Sequence, residues 1–273
     1  VTGCYSTTTQ LLRVTQGPVA ITPQALHYCD PNNDGFGVFD LESASLEIMG
    51  GSAVAGVSVS YYETDTDALI GAVPSLTSPY ENINPWTQTI YVRVFYTLTG
   101  CANYVQLQLI VDPTPEATEP DDYELCDYTG QTGFESFDLT TTVPQILGNI
   151  DPATVTVTFH TTFANAQDDA NAIGVVTNYI NQTQWNQTVY VRVEFNTTGC
   201  YDIVELDLIV NPLPNATQPN YPQYTLCDYN GAIGFETFDL LSQVDAILLG
   251  QQGMTVTFYP SLAAAQAQVP STS

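Results

Sequence analysis

The sequence predicts an all-β protein of tandem immunoglobulin-like antiparallel β-sandwich repeats of about 98 residues, joined by proline-rich linkers. Three observations lead to this prediction. Cysteine motifs recur at a nearly fixed period, apolar and polar residues alternate in short segments, and prolines cluster between the repeats. About seven short strands per repeat, separated by turn signals, are typical of such a sandwich.

The repeat is clearest in the six cysteines, which fall into two interleaved series. Thr-Gly-Cys recurs with spacings of 97 and 99 residues, and Cys-Asp recurs with spacings of 97 and 101. The first series comprises Cys4, Cys101 and Cys200, and the second comprises Cys29, Cys126 and Cys227. A Gly-Phe-x-x-Phe-Asp-Leu motif keeps the same period, starting at Gly35, Gly133 and Gly234. Repetition of rare residue types along the whole chain indicates a tandem array.

Strands are predicted where side chains alternate between apolar and polar. Three segments at equivalent places in the repeat alternate in this way, namely residues 57–61, 155–159 and 254–258. Residues 90–94 and 105–111 alternate as well, so that Thr-Gly-Cys lies at the turn of a hairpin. Short helix-prone segments, such as Val143 to Leu147 and Ala164 to Ala172, lie between the strands.

The repeat frame divides the chain into four parts. Residues 27–112 and 124–211 are complete repeats, residues 1–22 are the C-terminal fragment of a preceding repeat, and residues 225–273 are the N-terminal part of a further one. We expect a segment of a longer array; the alternative is that the two fragments complete each other between chains by strand donation. The linkers are expected to be extended and semi-rigid because of their prolines, which include Pro113, Pro115, Pro212 and Pro214.

Charge and composition exclude several classes of function. The formal net charge is −26, there is no lysine, and the only basic residues apart from two histidines are three arginines. Nucleic-acid binding and docking on an anionic membrane both depend on Lys and Arg, so neither is expected. Insertion into a membrane is not expected either, because no apolar run approaches the ~20 residues that span a bilayer.

The even number of cysteines, without a CxxC metal pattern, predicts disulfides in an oxidising, extracellular compartment. Two pairing schemes fit the repeat. Pairing within repeats joins Cys29 to Cys101 and Cys126 to Cys200. Pairing across linkers joins Cys101 to Cys126 and Cys200 to Cys227. A strand of about eleven residues, roughly 35 Å at ~3.3 Å per residue, carries the chain from Cys101 to the far pole. We expect the first strand to begin at the same pole as the last hairpin turn, which favours pairing within repeats.

One segment is similar to a metal-binding loop. Asp30, Asn32, Asp34 and Gly35 match D-x-N-x-D-G, the opening of a calcium loop in which oxygen ligands alternate and glycine allows a sharp turn. The match is partial, since the twelfth position is Leu41 rather than Glu. An Asn- and Asp-rich turn before a strand explains the same residues. Calcium is the only cofactor that the sequence suggests.

Catalytic patterns are missing, and no enzymatic activity is expected. His27 and His160 occupy different places in the repeat, and neither has the spacing of a Ser-His-Asp triad or a metal site. Arg93 and Arg192 are equivalent in the repeat. They are expected to pair structurally with acidic residues across strands.

Two tryptophans also recur at equivalent places. Trp86 and Trp185 precede the segments Thr-Ile-Tyr-Val-Arg-Val and Thr-Val-Tyr-Val-Arg-Val. Packing at the entrance of a strand is the structural interpretation, and stacking against a sugar is the functional one.

Taken together, these motifs resemble the tandem repeats of very large flavobacterial cell-surface proteins. Proteins of that kind, from gliding Bacteroidota, leave the cell by type IX secretion and often end in a gliding-motility-associated sorting domain. The motifs that carry the resemblance are Cys-Asp…Gly-Phe-x-x-Phe-Asp-Leu, Gln-Thr-Val-Tyr-Val-Arg-Val and Thr-Gly-Cys…Leu-Ile-Val-x-Pro-Leu-Pro. The resemblance implies an extracellular adhesin on the bacterial cell surface.

The function expected from the sequence is therefore structural. The chain is interpreted as an acidic, non-enzymatic repeat array that forms the stalk or filament of a surface adhesin, with neighbouring repeats as its partners. The alternative is a set of glycan-binding modules in a secreted multidomain protein. In either case the target, whether a surface or a glycan, is not encoded in a recognisable motif.

Overall fold

A computed structural model describes residues 3–128, 130–216, 224–229, 231 and 234–268. The chain divides into two compact units. The first comprises Val1–Tyr123, Phe137–Tyr179 and Thr188–Leu208, and the second comprises Glu124–Ser136, Ile180–Gln187 and Ile209–Ser273. The first unit thus contains one whole repeat and much of the next. Residues 1–2, 230, 232–233 and 269–273 of the proposed terminal fragments lie outside the described residues.

Repeat one is built from six strands and two short α-helices, with a 3₁₀ turn at Leu41–Ala44. The strands are β1 (Leu26–Asp30), β2 (Val38–Phe39), β3 (Val57–Tyr62), β4 (Tyr80–Glu81), β5 (Thr87–Tyr96) and β6 (Ala102–Pro113); the helices are α1 (Ser45–Ile48) and α2 (Asp65–Ile70). Four strands form a sheet in the order β1-β6-β5-β3, and β2 pairs with β4 in a second, small sheet.

Repeat two has the same architecture. Its strands are β7 (Tyr123–Cys126), β8 (Ser136–Phe137), β9 (Val155–His160), β10 (Tyr179–Ile180), β11 (Asn186–Phe195) and β12 (Tyr201–Asn211); its helices are α3 (Val143–Leu147) and α4 (Phe163–Gln167), with 3₁₀ turns at Leu139–Thr142 and Pro152–Thr154. The larger sheet has the order β7-β12-β11-β9, and β10 pairs with β8. The predicted all-β tandem repeat is therefore confirmed.

The predicted strand at residues 254–258 is not formed, although its two equivalents are β3 and β9. In the complete repeats, β3 pairs with β5 and β9 pairs with β11. Residues 254–258 have no such neighbour in the described part of the chain. After repeat two the described chain forms a 3₁₀ turn at Leu240–Gln243 and the helices α5 (Val244–Leu248) and α6 (Leu262–Gln266).

The core of each repeat follows from the alternation along its long strands. In β5, Ile90, Val92 and Val94 are fully buried and meet Leu107 and Leu109 of β6. The equivalent residues of repeat two are also fully buried, namely Val189, Val191, Val193, Leu206 and Leu208. Full burial of such a side chain is worth about 1.5–3 kcal/mol. Among the described residues, no helix is long and apolar enough to cross a bilayer.

Strand β1 runs parallel to β6, while the other pairs of the sheet, β5–β6 and β3–β5, are antiparallel. Leu26 lies opposite Leu109, and Cys29 lies opposite Asp112 near the end of β6. The first strand therefore ends where the last strand ends, at the point where the chain leaves the repeat. This direction decides which cysteines can meet.

Candidate functional site

The structural feature that joins the two repeats is a disulfide between Cys29 and Cys200. The Cα atoms of the two cysteines are 5.4 Å apart, and the cysteines are separated by 171 positions in the sequence. The bridge connects the Cys-Asp cysteine of repeat one to the Thr-Gly-Cys cysteine of repeat two. The predicted pairs Cys29–Cys101 and Cys126–Cys200 are therefore wrong, and Cys101 and Cys126 are free.

The direction of β1 explains the error. Cys101 precedes β6, whereas Cys29 lies opposite Asp112 near the other end of that strand. At ~3.3 Å per residue, these two ends of β6 are roughly 35 Å apart, far beyond the ~6 Å Cα separation of a disulfide. The alternative scheme across linkers does not form either, because Cys200 is bonded to Cys29 and not to Cys227.

A buried aspartate shapes the loop that follows Cys29. The carboxylate of Asp30, which is fully buried, accepts hydrogen bonds from the backbone N–H groups of Asn32 at 3.2 Å, Asn33 at 3.1 Å and Gly35 at 2.7 Å. Gly35 has a φ of +85°, a conformation that favours glycine. The carboxylate thus fixes the loop next to the bridged cysteine.

The same loop recurs at the other Cys-Asp motifs. The carboxylate of Asp127 is also fully buried and accepts from the backbone N–H groups of Gln131 at 3.1 Å and Gly133 at 2.7 Å. The carboxylate of Asp228 accepts from the N–H of Gly234 at 2.8 Å. The spacing of Cys-Asp and glycine in the sequence therefore encodes a loop closed by a carboxylate.

The hydrogen bonds that close the Asp30 loop bear on the predicted calcium site. Asp34 accepts from the side chain of Asn32 at 2.7 Å and from the backbone N–H of Phe36 at 2.9 Å, so Asp30, Asn32 and Asp34 all have partners within the protein. The N–H dipoles that point at Asp30 already supply the positive charge that its carboxylate needs. In the part of the chain that the structure describes, no group of three or more His, Cys, Asp or Glu side chains is placed to hold a metal. Calcium at Asp30 stays a prediction.

Hydrogen bonds hold the start of the linker against this loop. The side chain of Asn33 accepts from the N–H of Thr114 at 3.0 Å and donates to the Thr114 carbonyl at 3.2 Å. The hydroxyl of Thr114 donates to the carbonyl of Asp30 at 3.0 Å. These hydrogen bonds fix the direction in which the linker leaves repeat one. The prolines stiffen the linker but do not determine that direction.

The next residues of the linker bind to repeat two. The N–H of Ala117 donates to the carboxylate of Asp202 at 3.1 Å, and the N–H of Thr118 donates to the carbonyl of Ile146 at 2.8 Å. Asp202 follows Cys200 by two positions, so the linker is held close in sequence to the second half of the bridge. Three residues without a predicted role, Asn33, Thr114 and Asp202, thus belong to the junction. Asn33 and Asp202 are polar residues close to Cys29 and Cys200, which is a weak sequence signal, whereas Thr114 in the linker carries none.

The two recurrent tryptophans occupy matching backbone positions. Trp86 and Trp185 have φ values of +68° and +70°, which is unusual for a bulky residue. The N–H of Trp86 donates to the carbonyl of Gly35 at 2.9 Å, and a Cβ added to Gly35 would lie 3.1 Å from the Trp86 ring. Trp185 makes the same contacts with Gly133. Each ring packs on a glycine, in line with the structural interpretation, and the sugar platform stays a prediction.

The equivalent arginines have diverged. In repeat two, the buried Arg192 forms an ion pair with Glu194, two positions along the same strand, and donates to the carbonyls of Ala166 and Gln167 at the end of α4. Its guanidinium lies 3.4 Å from the centre of the Tyr201 ring. The acidic partner was expected on a neighbouring strand.

In repeat one, Phe95 replaces the glutamate. The guanidinium of Arg93 lies 4.8 Å from the centre of the Phe95 ring, and its Nη2 donates to the carbonyl of Gly100 at 3.2 Å. Among the described residues Arg93 has no ion pair with a carboxylate. Both arginines thus pack within their repeats.

The histidines have structural partners. The ring of His160, fully buried, donates through Nδ1 to the carbonyl of Ala170 at 2.9 Å, and its Nε2 lies 2.9 Å from the hydroxyl of Thr158. Nδ1 of His27 lies 2.6 Å from the carboxylate of Asp112 on the neighbouring strand. Neither ring is paired with a serine or cysteine nucleophile in these contacts.

Cys101, the repeat-one equivalent of Cys200, is a free cysteine whose thiol lies beside two threonine hydroxyls. The pKa of its thiol is lowered because the hydroxyl of Thr15, 2.9 Å away, and that of Thr99 interact with the sulfur and favour the thiolate. Free cysteines also stand at Cys4, Cys126 and Cys227, where the side chains are exposed.

The bridge predicts a definite peptide map. Digestion without reduction is expected to yield a peptide pair that links Cys29 to Cys200. Cys29→Ser should lower the free energy of unfolding by about 2–5 kcal/mol, because the loop that the bridge closes is long. Cys101→Ser, which removes a free cysteine, is the control and should change stability little. A map that links Cys29 to Cys101 would contradict the junction.

The Asp30 loop predicts a stability difference between two aspartates close together in the sequence. Asp30→Ala removes three hydrogen bonds to a buried carboxylate and should cost about 3 kcal/mol or more in the free energy of unfolding, measured by denaturant titration. Asp34→Ala, in the exposed part of the same loop, should cost less than about 1 kcal/mol. Equal losses would show that burial of Asp30 does not set its contribution.

The lowered pKa of Cys101 predicts its alkylation profile. The thiolate is the reactive form, so alkylation of Cys101 should rise at lower pH than alkylation of a cysteine in a short unstructured peptide. Thr15→Val removes the hydroxyl and should move the Cys101 profile towards higher pH. The measurement is site-resolved mass spectrometry after timed iodoacetamide treatment. Identical profiles before and after the substitution would mean that Thr15 does not favour the thiolate.

Comparisons with solved structures give weak likenesses. Titin fragment I67–I69 is 8% identical with a TM-score of 0.26, covering 73% of this chain and 67% of that one. Drosophila N-cadherin EC1–4 is 11% identical with a TM-score of 0.20, covering 70% and 50%. A SusE-like surface-located polysaccharide-binding protein from the Bacteroides thetaiotaomicron heparin utilisation locus is 10% identical with a TM-score of 0.22, covering 59% and 30%. At such scores these likenesses say nothing about function.

A search of curated proteins found no match. A family model, by contrast, matches both repeats, at residues 25–115 and 122–214. Its description, a flavobacterial domain with an inter-domain disulfide, agrees with the bridge from Cys29 of repeat one to Cys200 of repeat two. The chain belongs to the Flavobacterium inter-domain disulphide bond domain family, and it contains two tandem copies of that domain.

Proposed function

We propose that this chain is a segment of an extracellular, non-enzymatic repeat array that forms the stalk or filament of a bacterial surface adhesin. The observation that carries the proposal is the covalent bond between consecutive repeats, Cys29–Cys200. Disulfides persist in oxidising environments outside the cytoplasm, which supports an extracellular location. Tandem immunoglobulin-like repeats are also a fold class that is not typically enzymatic.

In this proposal the bridge follows a rule that extends along the array. The Cys-Asp cysteine of each repeat bonds to the Thr-Gly-Cys cysteine of the next. By this rule Cys126 takes its partner from a following repeat, and Cys101 takes its partner from a preceding one. Their state as free thiols in this chain is compatible with the rule. Neighbouring repeats are then the principal partners of each domain.

Contacts before repeat one support a recurrent junction. The N–H of Ile21 donates to the carbonyl of Ile48 at 2.9 Å, as Thr118 does to Ile146 in the junction between the repeats. Asn103, two positions after Cys101, donates to the carbonyl of Pro18 at 2.6 Å. Its equivalent in repeat two is Asp202, which also holds the linker. We therefore propose that residues 1–22 belong to a preceding repeat. Residues 225–273, in which Cys-Asp and Gly-Phe-x-x-Phe-Asp-Leu recur, belong in this proposal to a further one.

The adhesin role joins this junction to the resemblance noted in the sequence. A stalk needs units that repeat, a fixed connection between them and little specific chemistry on their surfaces. The loop closed by Asp30, the pinned linker and the bridge supply the fixed connection. Export by type IX secretion and a part in gliding motility belong to the same proposal and rest on the resemblance.

The test uses cells of the source bacterium. Antibodies against residues 25–214 are expected to label intact cells, and in-frame deletion of this segment should shorten surface filaments in electron micrographs and weaken attachment. Labelling only after lysis would overturn the surface location. Unchanged filaments and attachment would overturn the stalk. Retention of the purified chain on a polysaccharide, lost in a folded Trp86→Ala variant, would assign glycan-binding modules instead.

A further inference from the structure

We infer that the Cys29–Cys200 bridge, with strands β1 and β12, forms a covalent load path that lets tension pass both repeats without unfolding either one. The inference deepens the proposed stalk function and rests on it for its biological meaning. The mechanical property itself belongs to this chain and is measured on it alone.

The path follows from where the cysteines stand. The chain enters repeat one through β1, and Cys29 is the fourth of the five residues of that strand. The bridge leads directly to Cys200, which precedes β12, the last strand of repeat two. The chain then runs along β12 and leaves at Asn211. Tension applied at the two ends of the chain therefore passes through β1, one disulfide and β12.

Both strands on this path are already extended. A strand rises ~3.3 Å per residue, close to the ~3.3–3.6 Å that a fully stretched chain reaches. Pulling along β1 and β12 thus gains almost no length. Between Leu26 and Asn211 the path contains no folded element that must open before the covalent bonds carry the tension.

The rest of both repeats lies in the closed loop. The cysteines are 171 positions apart, so 170 residues are enclosed between them. This loop includes β2 to β11, the linker at residues 114–122 and the core strands of both repeats. At ~3.3–3.6 Å per residue it holds roughly 560–610 Å of contour length that tension cannot release. Because the linker is inside the loop, tension does not act on its hydrogen bonds either.

Without the bridge, tension takes a different route. It enters at Leu26, crosses from β1 to β6 and leaves repeat one at Pro113. The two strands are parallel, with five paired positions, so the opposed forces act along the strands and load the ladder in shear. Such a ladder resists only through hydrogen bonds and side-chain packing, and repeat one can unfold once it fails.

Pairing within repeats would not give this result. Bridges from Cys29 to Cys101 and from Cys126 to Cys200 would leave residues 102–125, with the linker, on the load path. The hydrogen bonds of Asn33 and Thr114 would then have to hold the junction. The observed connection encloses the linker as well as the folded bodies.

The test is single-molecule pulling of the full chain through tags at its two ends, with free thiols blocked by alkylation. The oxidised chain should stretch without any release of the enclosed length. After reduction, the same chain should lengthen by up to roughly 560–610 Å, less its folded span, in two steps of comparable size. Cys200→Ser should behave as the reduced chain does, and Cys101→Ser should behave as the oxidised one.

The outcomes separate this inference from the stalk proposal. Release from the oxidised chain of the roughly 560–610 Å that reduction is expected to free, in the same two steps, would overturn the load path and leave the surface location and filament tests untouched. A reduced chain that releases no length before the linkage to the tags breaks would also overturn it, since non-covalent contacts would then suffice. If instead the pulling results are as expected but deletion leaves filaments unchanged, the stalk proposal fails and the load path stands.

Discussion

The parallel pairing of β1 with β6 is the constraint on which the junction depends. It brings the end of the first strand to the point where the last strand leaves the repeat, and so places Cys29 opposite Asp112. From there the cysteine can reach the following repeat and not its own hairpin turn. An antiparallel first strand would send the same cysteine the other way. The direction of one five-residue strand thus decides whether disulfides close single domains or join successive ones.

A second constraint is electrostatic. Asp30 carries a carboxylate into a fully buried position, which is costly unless hydrogen bonds replace the lost water. Three backbone N–H groups of one short loop do so, and they fix the chain immediately after Cys29. In a protein with a net charge of −26, this is a way to bury an acid without a cationic partner. The recurrence at Asp127 indicates that the loop is part of the domain and not of one copy.

Within the two complete repeats the sequence predicted the long strands but not their direction. Alternation along residues 90–94 reports a half-buried strand, and Ile90, Val92 and Val94 are indeed buried. Alternation is the same in parallel and antiparallel pairs, so it carries no information on where β1 ends relative to β6. The cysteine period was clear, yet it fits bridges within and between repeats equally well. Likewise, the Asp30 pattern fits both calcium ligands and hydrogen-bond acceptors. The structure shows the acceptor role, because the Asp30 carboxylate is buried and accepts from three backbone N–H groups.

The edge-strand pairs beside the bridge have a consequence for assembly. His27 pairs with Asp112 in repeat one, and at the equivalent place in repeat two the side chain of Asn211 donates to Glu124 at 2.9 Å. If neighbouring repeats exchanged their first strands, Glu124 would face Asp112, two carboxylates on adjacent strands, and His27 would face an uncharged amide. Like charges at such positions are destabilising, which disfavours the exchanged pairing. Each of the two repeats is thereby matched to its own first strand, which disfavours misassembly between them.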